Sequence, residues 1–337
     1  MELNQKIKTA ESLWKIGSET AREKARIIFT ESFLQDPTLI FSHIDLEKPN
    51  QEQISSYRER ILFRLNNWYK PDSDPIIPLA QISNKMFVKD FVSKIFPTGV
   101  PETYYYGDDI QNFDFSHLFG KSIVIKPDNL ANSDGVIILK NNVDLMTGNV
   151  VLDHQIHDYI NYVINSHKQY QYRYFKIKKT KIIVEEHIEK TESGKFKFEK
   201  APNVKIFCGG GLAWIIRFGG TRNEFSYFYR NFDKIQYAPI SICEIYSKCK
   251  PYPYDILKCF SLDELNNTIK FAERIQREIG IFARIDCYIS DRGPVLGEIT
   301  TCDANGTTPS PQIDRVFAQL MEIFPDDPLK TSLNYSF

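Results

Sequence analysis

The stretch "IFARIDCYISDRGPVLGEIT", residues 281–300, has the pattern of two β-strands joined by a tight turn. In its first half apolar residues alternate with Arg284, Asp286 and Tyr288, which gives the strand one apolar and one polar face. The turn falls at 291–293, where the sequence Asp-Arg-Gly suits a three-residue hairpin loop with the glycine in the left-handed conformation. The stretch therefore predicts an antiparallel hairpin.

This hairpin is expected to bring two carboxylates together. Its turn predicts three cross-strand pairs: Arg284 with Thr300, Asp286 with Glu298, and Tyr288 with Leu296. Opposed like charges destabilise a sheet by up to about 1 kcal/mol, so a cation is expected beside the two acids. Side chains about 4.5–5.5 Å apart at Cβ can both ligate one Mg²⁺, at about 2.0–2.1 Å. Two alternatives stay open: Glu298 pairs diagonally with Arg284, or the register is off by one and Asp286 faces water.

The composition excludes several classes of protein. With 337 residues the chain is long enough for two or three compact units. Its 42 basic and 43 acidic residues give a net charge of −1, which provides no general attraction to nucleic acid or to an anionic membrane. No apolar run approaches the roughly 18 residues of a membrane span. The six cysteines lack the spacing of a disulfide scaffold, so we expect reduced thiols and a cytoplasmic protein.

Helical and strand patterns alternate along the chain without a regular βαβ order. Residues 1–80 show helical periodicity, and 84–96 predict a further helix with Ser83 as its N-cap. Short β-branched runs follow, among them "SIVIK", "GVIILK" and "KIIVEEHI". The pattern is typical of an α+β protein with antiparallel sheets.

Lys126 ends an apolar run and precedes a polar loop in "GKSIVIKPDNLANSDGVIILK". A lysine beside such a loop suits nucleotide binding, because Mg²⁺ held by two carboxylates usually completes its shell with phosphate oxygens and water. The alternative is a solvated charge on an edge strand. The glycines of "CGGG", 208–211, join two strand patterns and are interpreted as a hairpin turn.

The end of the run "KIIVEEHIEK" is a candidate adenine site. There Glu185 and Glu186 could meet the adenine edge, while Val184 and Ile188 enclose the ring. The alternative is an ordinary amphipathic end of a strand.

Several of these motifs together resemble a known family. They are, in chain order, Lys85 and Lys89 in "NKMFVKDFV", Lys126 in "VIKPDN", the run "IIVEEHI", Lys205 in "NVKIF", Asp286 in "ARIDCYI" and Glu298 in "GEIT". In this order and spacing they resemble the ATP-grasp superfamily over about residues 80–315. Within it they are similar to the TupA-like branch, which is associated with teichuronopeptide and cell-surface polysaccharide gene clusters.

The resemblance implies a fold of two α+β lobes with antiparallel sheets that grip ATP, preceded here by a helical N-terminal unit. The expected domains are a helical region at 1–80, a small lid lobe with its entry helix at 81–189, and a large lobe with the magnesium site at 190–337.

The resemblance also implies roles for individual residues. The nucleotide-binding set is Lys85, Lys89, Lys126, Glu185, Glu186, Ile188 and Lys205. The metal-binding set is Asp286, Glu298, Thr300 and Asn305, with Thr300 where the superfamily usually has asparagine and Asn305 as a further candidate. Four arginines are candidates for anchoring a substrate carboxylate or stabilising an intermediate, because a guanidinium matches carboxylate and phosphate: Arg217, Arg222, Arg230 and Arg284.

The expected activity is that of an ATP- and Mg²⁺-dependent carboxylate–amine ligase that forms an amide through an acyl phosphate. Small-molecule carboxylates and amines are the expected substrates, without nucleic acid and without insertion into a membrane. Two alternatives stay open. One is an ATP-grasp kinase that phosphorylates a hydroxyl of a small molecule or sugar, and the other is a non-catalytic nucleotide-binding protein.

Overall fold

The structure, a computed structural model, divides the chain into two compact units. The first comprises Met1–Asn67 and Lys190–Phe337, and the second comprises Trp68–Glu189. The residues described are 2–36, 56–68, 82, 84–118, 120–128, 135–167, 181–189, 192–193, 196–197, 201–221, 224–231, 234–237, 256–302 and 311–324. The predicted domain boundaries at residues 80 and 189 stay a prediction.

Helices and strands are numbered along the described chain. The helices are α1 Leu3–Ile16, α2 Glu19–Gln35, α3 Tyr57–Trp68, α4 Lys85–Ile95, α5 Ile156–His167, α6 Ile256–Cys259, α7 Leu262–Ile279 and α8 Pro311–Ile323. The strands are β1 Thr103–Gly107, β2 Ile123–Pro127, β3 Ile137–Lys140, β4 Val143–Asp144, β5 Ile182–Glu186, β6 Glu192–Ser193, β7 Phe196–Lys197, β8 Asn203–Gly209, β9 Leu212–Thr221, β10 Glu224–Asn231, β11 Lys234–Tyr237, β12 Ala283–Ser290 and β13 Gly293–Thr300. None of the helices described is long and apolar enough to cross a membrane.

The second unit is built on a sheet of order β1-β5-β2-β3-β4, in which every pairing is antiparallel. Helix α5 packs on it with three isoleucines spaced one turn apart, at 156, 160 and 164, which join the buried cluster of Ile125 and Val184. Helix α4 is capped by Asn84, whose side chain accepts hydrogen bonds from two main-chain N–H groups of the first turn. The predicted N-cap, Ser83, was wrong: Asn84, the residue directly before the helix, is extended and its side chain accepts both capping hydrogen bonds.

The first unit is built on a six-stranded antiparallel sheet of order β11-β10-β9-β8-β12-β13. Helix α7 packs against β8, β9, β12 and β13. It begins at a capping box formed by Ser261 and Glu264. Helices α1, α2, α3 and α8 share a buried cluster with the sheet, in which the Phe207 ring stacks on Phe317 at a centroid distance of 4.3 Å. The α+β class with antiparallel sheets is therefore confirmed.

Candidate functional site

The hairpin β12–β13 places the two predicted carboxylates opposite each other. Asp286 is the cross-strand partner of Glu298, and Arg284 is the partner of Thr300. These two predicted pairings are confirmed. Because residues two apart share a face of a strand, the four side chains belong to the same face of the sheet.

The third predicted pairing, of Tyr288 with Leu296, was wrong. A β-bulge lies beyond Asp286 and Glu298: Gly297 is the extra residue, so Tyr288 faces Val295 and Leu296 faces Cys287. A side chain at Gly297 would be crowded, since its Cβ would lie 3.0 Å from the Tyr288 ring and 3.2 Å from the main-chain oxygen of Asp286, so one of these neighbours would have to shift. The bulge moves Leu296 onto the face opposite Glu298, where it is buried.

The turn of the hairpin also differs from the prediction. Its loop has two residues, Asp291 and Arg292, and Ser290 pairs with Gly293 as the strands begin. Gly293 has a φ of +100°, so its predicted positive φ is confirmed. The shorter loop and the bulge offset one another by one residue, which is why the pairing of Asp286 with Glu298 agrees with the prediction.

Asp286 is held between two cations. Its side chain is buried, with a residue exposure of 3%. Arg284 donates from Nε to Oδ1 at 2.6 Å and from Nη2 to Oδ2 at 3.0 Å, and Lys205 on β8 also donates to Oδ2. Burial alone would raise the pKa of Asp286, but Arg284 and Lys205 outweigh it and lower the pKa to about 2. The carboxylate is therefore anionic throughout the physiological range.

Acidic and basic residues form one row across the sheet. Cross-strand neighbours in this row, from β13 to β10, are Glu298, Asp286, Lys205, Arg217 and Tyr227. The next row lies on the opposite face and is apolar and buried: Ile299, Ile285, Ile206, Ile216 and Phe228. Two acids followed by two bases are an arrangement that can hold a cation at one end and an anion at the other.

The acidic end of this row, together with Thr300, fits Mg²⁺. Asp286 and Glu298 offer the hard oxygen donors that Mg²⁺ prefers. The hydroxyl oxygen of Thr300 is buried without a hydrogen-bond partner and lies two residues from Glu298 on the same strand. In the described ranges no group of three or more His, Cys, Asp or Glu side chains could hold a metal ion. Mg²⁺ that is bound by only two carboxylates usually completes its shell with phosphate oxygens and water.

For the other predicted site residues of this unit the structure gives less detail. Arg217 lies on β9, with its guanidinium 5.9 Å from the centroid of the Phe207 ring. The main chain of Arg230 lies on β10, where it pairs with Ile235 of β11. Arg222 and Asn305 lie outside the described residues.

In the second unit the predicted lysines converge on a buried acid. Lys89 Nζ donates to Oε2 of Glu185 at 2.9 Å, and Lys126 Nζ donates to Oε1 of the same carboxylate. Burial would raise the pKa of Glu185, but Lys126 and Lys89 together lower it below its usual value. Burial lowers the pKa of Lys89, against the attraction of Glu185. Two ammonium groups are thus fixed beside one anion.

Lys85, at the start of α4, turns its ammonium to the end of β2. Its Nζ lies 3.2 Å from the main-chain oxygen of Pro127. The adjacent Asp128 is buried and accepts hydrogen bonds from the hydroxyl of Tyr106 at 3.1 Å and from the main-chain N–H of Lys181 at 3.1 Å. This acid carries little signal in the sequence. Its only signal was its position two residues after Lys126.

The predicted adenine segment, residues 184–188, is hydrogen-bonded to two neighbouring segments. Glu186 exchanges hydrogen bonds with the main chain of Glu102: its N–H donates to the Glu102 oxygen at 2.9 Å, and its carboxylate accepts from the Glu102 N–H at 3.2 Å. The N–H of His187 donates to the Ser122 oxygen at 3.1 Å. Ile188 is buried. The Glu185 carboxylate is bonded to the lysines, and the role of this segment in binding adenine stays a prediction.

Comparison with known proteins identifies the family. The model of the TupA-like ATP-grasp family matches residues 63–321. The fold is similar to that of the D-alanine–D-alanine ligase from Bacillus anthracis complexed with ATP, with 11% identity and a TM-score of 0.44 over 76% of this chain and 69% of that chain. It is also similar to the D-alanine–D-alanine ligase from Helicobacter pylori, with 12% identity and a TM-score of 0.38 over 72% of this chain and 60% of that chain. No curated protein matches the sequence. Since the family model covers well over half of the chain, the protein belongs to the TupA-like ATP-grasp family.

Proposed function

We propose that the protein is a cytoplasmic ATP- and Mg²⁺-dependent carboxylate–amine ligase. In the proposed reaction a substrate carboxylate attacks the γ-phosphorus of ATP, which gives an acyl phosphate and ADP. An amine then attacks the acyl carbon, the amide forms and inorganic phosphate leaves. The observation that carries the proposal is the cross-strand pair of Asp286 and Glu298, which fits the metal that this chemistry needs.

The two acids and Thr300 would hold the metal. Bound Mg²⁺ supplies positive charge to the phosphate oxygens during phosphoryl transfer. Asp286 accepts three hydrogen bonds from Arg284 and Lys205, and a carboxylate offers about four lone-pair sites, so it retains capacity for a metal. Glu298 provides the second anionic oxygen, and the buried hydroxyl of Thr300 is a third oxygen without a partner of its own.

The lysines would bind the nucleotide. Lys89 and Lys126 present two ammonium groups whose charge is only partly offset by the single carboxylate of Glu185. We propose that they contact phosphate oxygens, Lys126 the α- and β-phosphates, and that Lys85 assists from the start of α4. Lys205 would face the phosphates while it stays paired with Asp286.

The arginines would serve the acceptor. Arg284, one of the four predicted arginines, could serve the acceptor only while it stays paired with Asp286. Arg217 follows Lys205 in the charged row and is a candidate for binding the substrate carboxylate, together with Arg222 and Arg230. Their substitution by alanine should impair turnover more than ATP binding, since a group that contacts only the acceptor makes no contribution to nucleotide affinity. The family resemblance associates such an activity with the synthesis of surface polysaccharides or peptide conjugates.

The test is incubation of the purified protein with Mg²⁺, ATP and pools of amino acids, amines and uronic acids. The ligase proposal expects ADP, phosphate and a product whose mass equals acid plus amine minus water. A stable phosphorylated product formed without an amine would favour the kinase. Nucleotide binding without ADP formation in any pool would favour the non-catalytic alternative.

A further inference from the structure

Arg64 of helix α3 joins the two strands that carry the carboxylates. It is 1% exposed, and its Nη1 donates to the main-chain oxygens of Phe282 at 2.9 Å and of Thr301 at 2.5 Å. Phe282 immediately precedes β12, and Thr301 immediately follows β13. One guanidinium nitrogen thus bridges the open end of the hairpin.

An arginine suits this bridge chemically. Both Phe282 and Thr301 are buried, and a buried carbonyl oxygen needs a donor. Each terminal nitrogen of a guanidinium carries two hydrogens, so a single atom can satisfy both carbonyls. The planar group fixes the directions of the two bonds, and therefore the separation of the two chain segments.

The bridge lies close to the carboxylate pair. Only the pairs Arg284–Thr300 and Ile285–Ile299 separate it from Asp286 and Glu298. On the far side of the carboxylates the ladder is interrupted by the bulge at Gly297. The regular ladder that fixes the carboxylates therefore runs toward Arg64.

We propose that Arg64 is a positioning residue for the metal site. It holds the open end of the hairpin at a fixed width and thereby sets the distance between the carboxylates of Asp286 and Glu298. The catalytic consequence rests on the proposed function, because this distance affects turnover only if the two acids hold Mg²⁺. The bridge itself can be tested without turnover.

The experiment compares Arg64→Met and Arg64→Lys with a matched control, Arg26→Met. Arg26, in helix α2, also donates to a main-chain oxygen, from Nε to Ile323 at 2.9 Å. That oxygen belongs to helix α8 and not to the hairpin, so the bond does not hold the hairpin strands. Hydrogen exchange of peptides from 283–300 reports the bridge. The Mg²⁺ dependence of ATP turnover at saturating ATP reports the metal site.

The proposal expects faster exchange confined to the hairpin in Arg64→Met, and not in Arg26→Met. The apparent Mg²⁺ dissociation constant should rise about tenfold, as for other residues that orient metal ligands, while the KM for ATP stays nearly constant. In Arg64→Lys both the exchange rate of the hairpin and the apparent Mg²⁺ dissociation constant should lie between those of the wild type and Arg64→Met, because an ammonium can keep one of the two bonds. This variant also carries the test if Arg64→Met does not fold.

Two results would overturn the proposal. One is exchange that is unchanged in the hairpin or accelerated equally throughout the unit, as a merely structural role predicts. The other is an unchanged Mg²⁺ requirement in a variant that turns over ATP. If the wild-type protein shows no Mg²⁺-dependent turnover, the proposed function fails, while exchange that accelerates only in the hairpin would still support the bridge.

Discussion

Arg284 binds the carboxylate of Asp286, two residues further along the same strand, through two hydrogen bonds of 2.6 and 3.0 Å. Lys205 approaches the same carboxylate from the neighbouring strand. The acid that is proposed to ligate Mg²⁺ is thus already surrounded by positive charge from the protein. The anionic form is stabilised without any metal, which makes Asp286 important for stability as well as for the proposed chemistry.

The first prediction concerns acid unfolding. The pKa of Asp286 is lowered from 3.8 to about 2, so folding favours the deprotonated acid. Its contribution to the free energy of unfolding, about 2 kcal/mol, should be fully present above pH 5 and lost as the pH falls through 2. Urea unfolding between pH 2 and 7 should show this loss in the wild type and a smaller pH dependence in Asp286→Asn.

That variant should also be less stable at pH 7, because Arg284 and Lys205 then face each other without an anion between them. Glu298→Gln is the control, since Arg284 and Lys205 stay paired with Asp286 in that variant. An Asp286→Asn protein with the stability and pH dependence of the wild type would contradict the assignment of the low pKa to this carboxylate.

The second prediction concerns Lys126. Lys126→Ala should raise the dissociation constant for ATP by about one to two orders of magnitude, as expected from roughly 1.5–3 kcal/mol for a charge-assisted contact. Lys140→Ala is the control, because Lys140 lies on the adjacent strand β3 with its side chain 39% exposed and paired with Glu189. Calorimetric titration with ATP would measure the dissociation constants of both variants. Equal affinities of the two variants would favour the solvated-charge interpretation of Lys126.

Much of the site could be predicted from the sequence. Periodicity of two places Asp286 on the polar face, whereas its alignment with Glu298 agrees with the prediction only because the two-residue loop and the bulge at Gly297 offset one another. Periodicity does not predict which strands pair when they are distant in the chain. The contact of Lys205 with Asp286 depends on β8 lying beside β12, which no local pattern specifies.

Other features could not be predicted from the sequence, for different physical reasons. A bulge depends on whether one extra residue can be accommodated, and Gly297 reads from the sequence as one glycine among 16. Arg64 is buried by tertiary packing, although arginine side chains are mostly exposed in proteins. Glu185 was predicted to face adenine, and its convergence with two lysines became visible only when α4 and β2 were placed beside β5.

The third prediction tests whether the glycines of 208–211 have a purely structural role. Gly210 has a φ of +60°, and a Cβ there would lie 2.4 Å from the ring of Phe324. Gly210→Ala should therefore lower the free energy of unfolding by about 2–4 kcal/mol, from backbone strain and overpacking together. Gly120→Ala, with a φ of +81° and open space around its Cβ, isolates the backbone term.

Neither glycine variant should change the affinity for ATP, which calorimetry at a temperature well below the unfolding transition would measure. A Gly210→Ala protein that keeps its stability and loses nucleotide binding would show instead that this turn contacts the ligand.

The last prediction concerns Glu298, the cross-strand partner of Asp286. Glu298→Gln removes one anionic metal ligand and also the repulsion between the two acids, which is at most about 1 kcal/mol. Without Mg²⁺ the variant should be as stable as the wild type or slightly more stable. Turnover should fall by at least about 10³, because several kcal/mol of transition-state stabilisation are lost with the fixed metal.

Stability and activity are thus expected to change in opposite directions in Glu298→Gln. A structural ion pair between Glu298 and Arg284 predicts the reverse, since its loss would lower stability and leave the Mg²⁺ requirement unchanged. Thermal unfolding with and without Mg²⁺-ATP, together with turnover at saturating Mg²⁺, separates the two. Because amide and carboxylate have nearly the same shape, a destabilised but active Glu298→Gln protein would point to a lost structural contact of the carboxylate, and it would rule out Glu298 as a metal ligand.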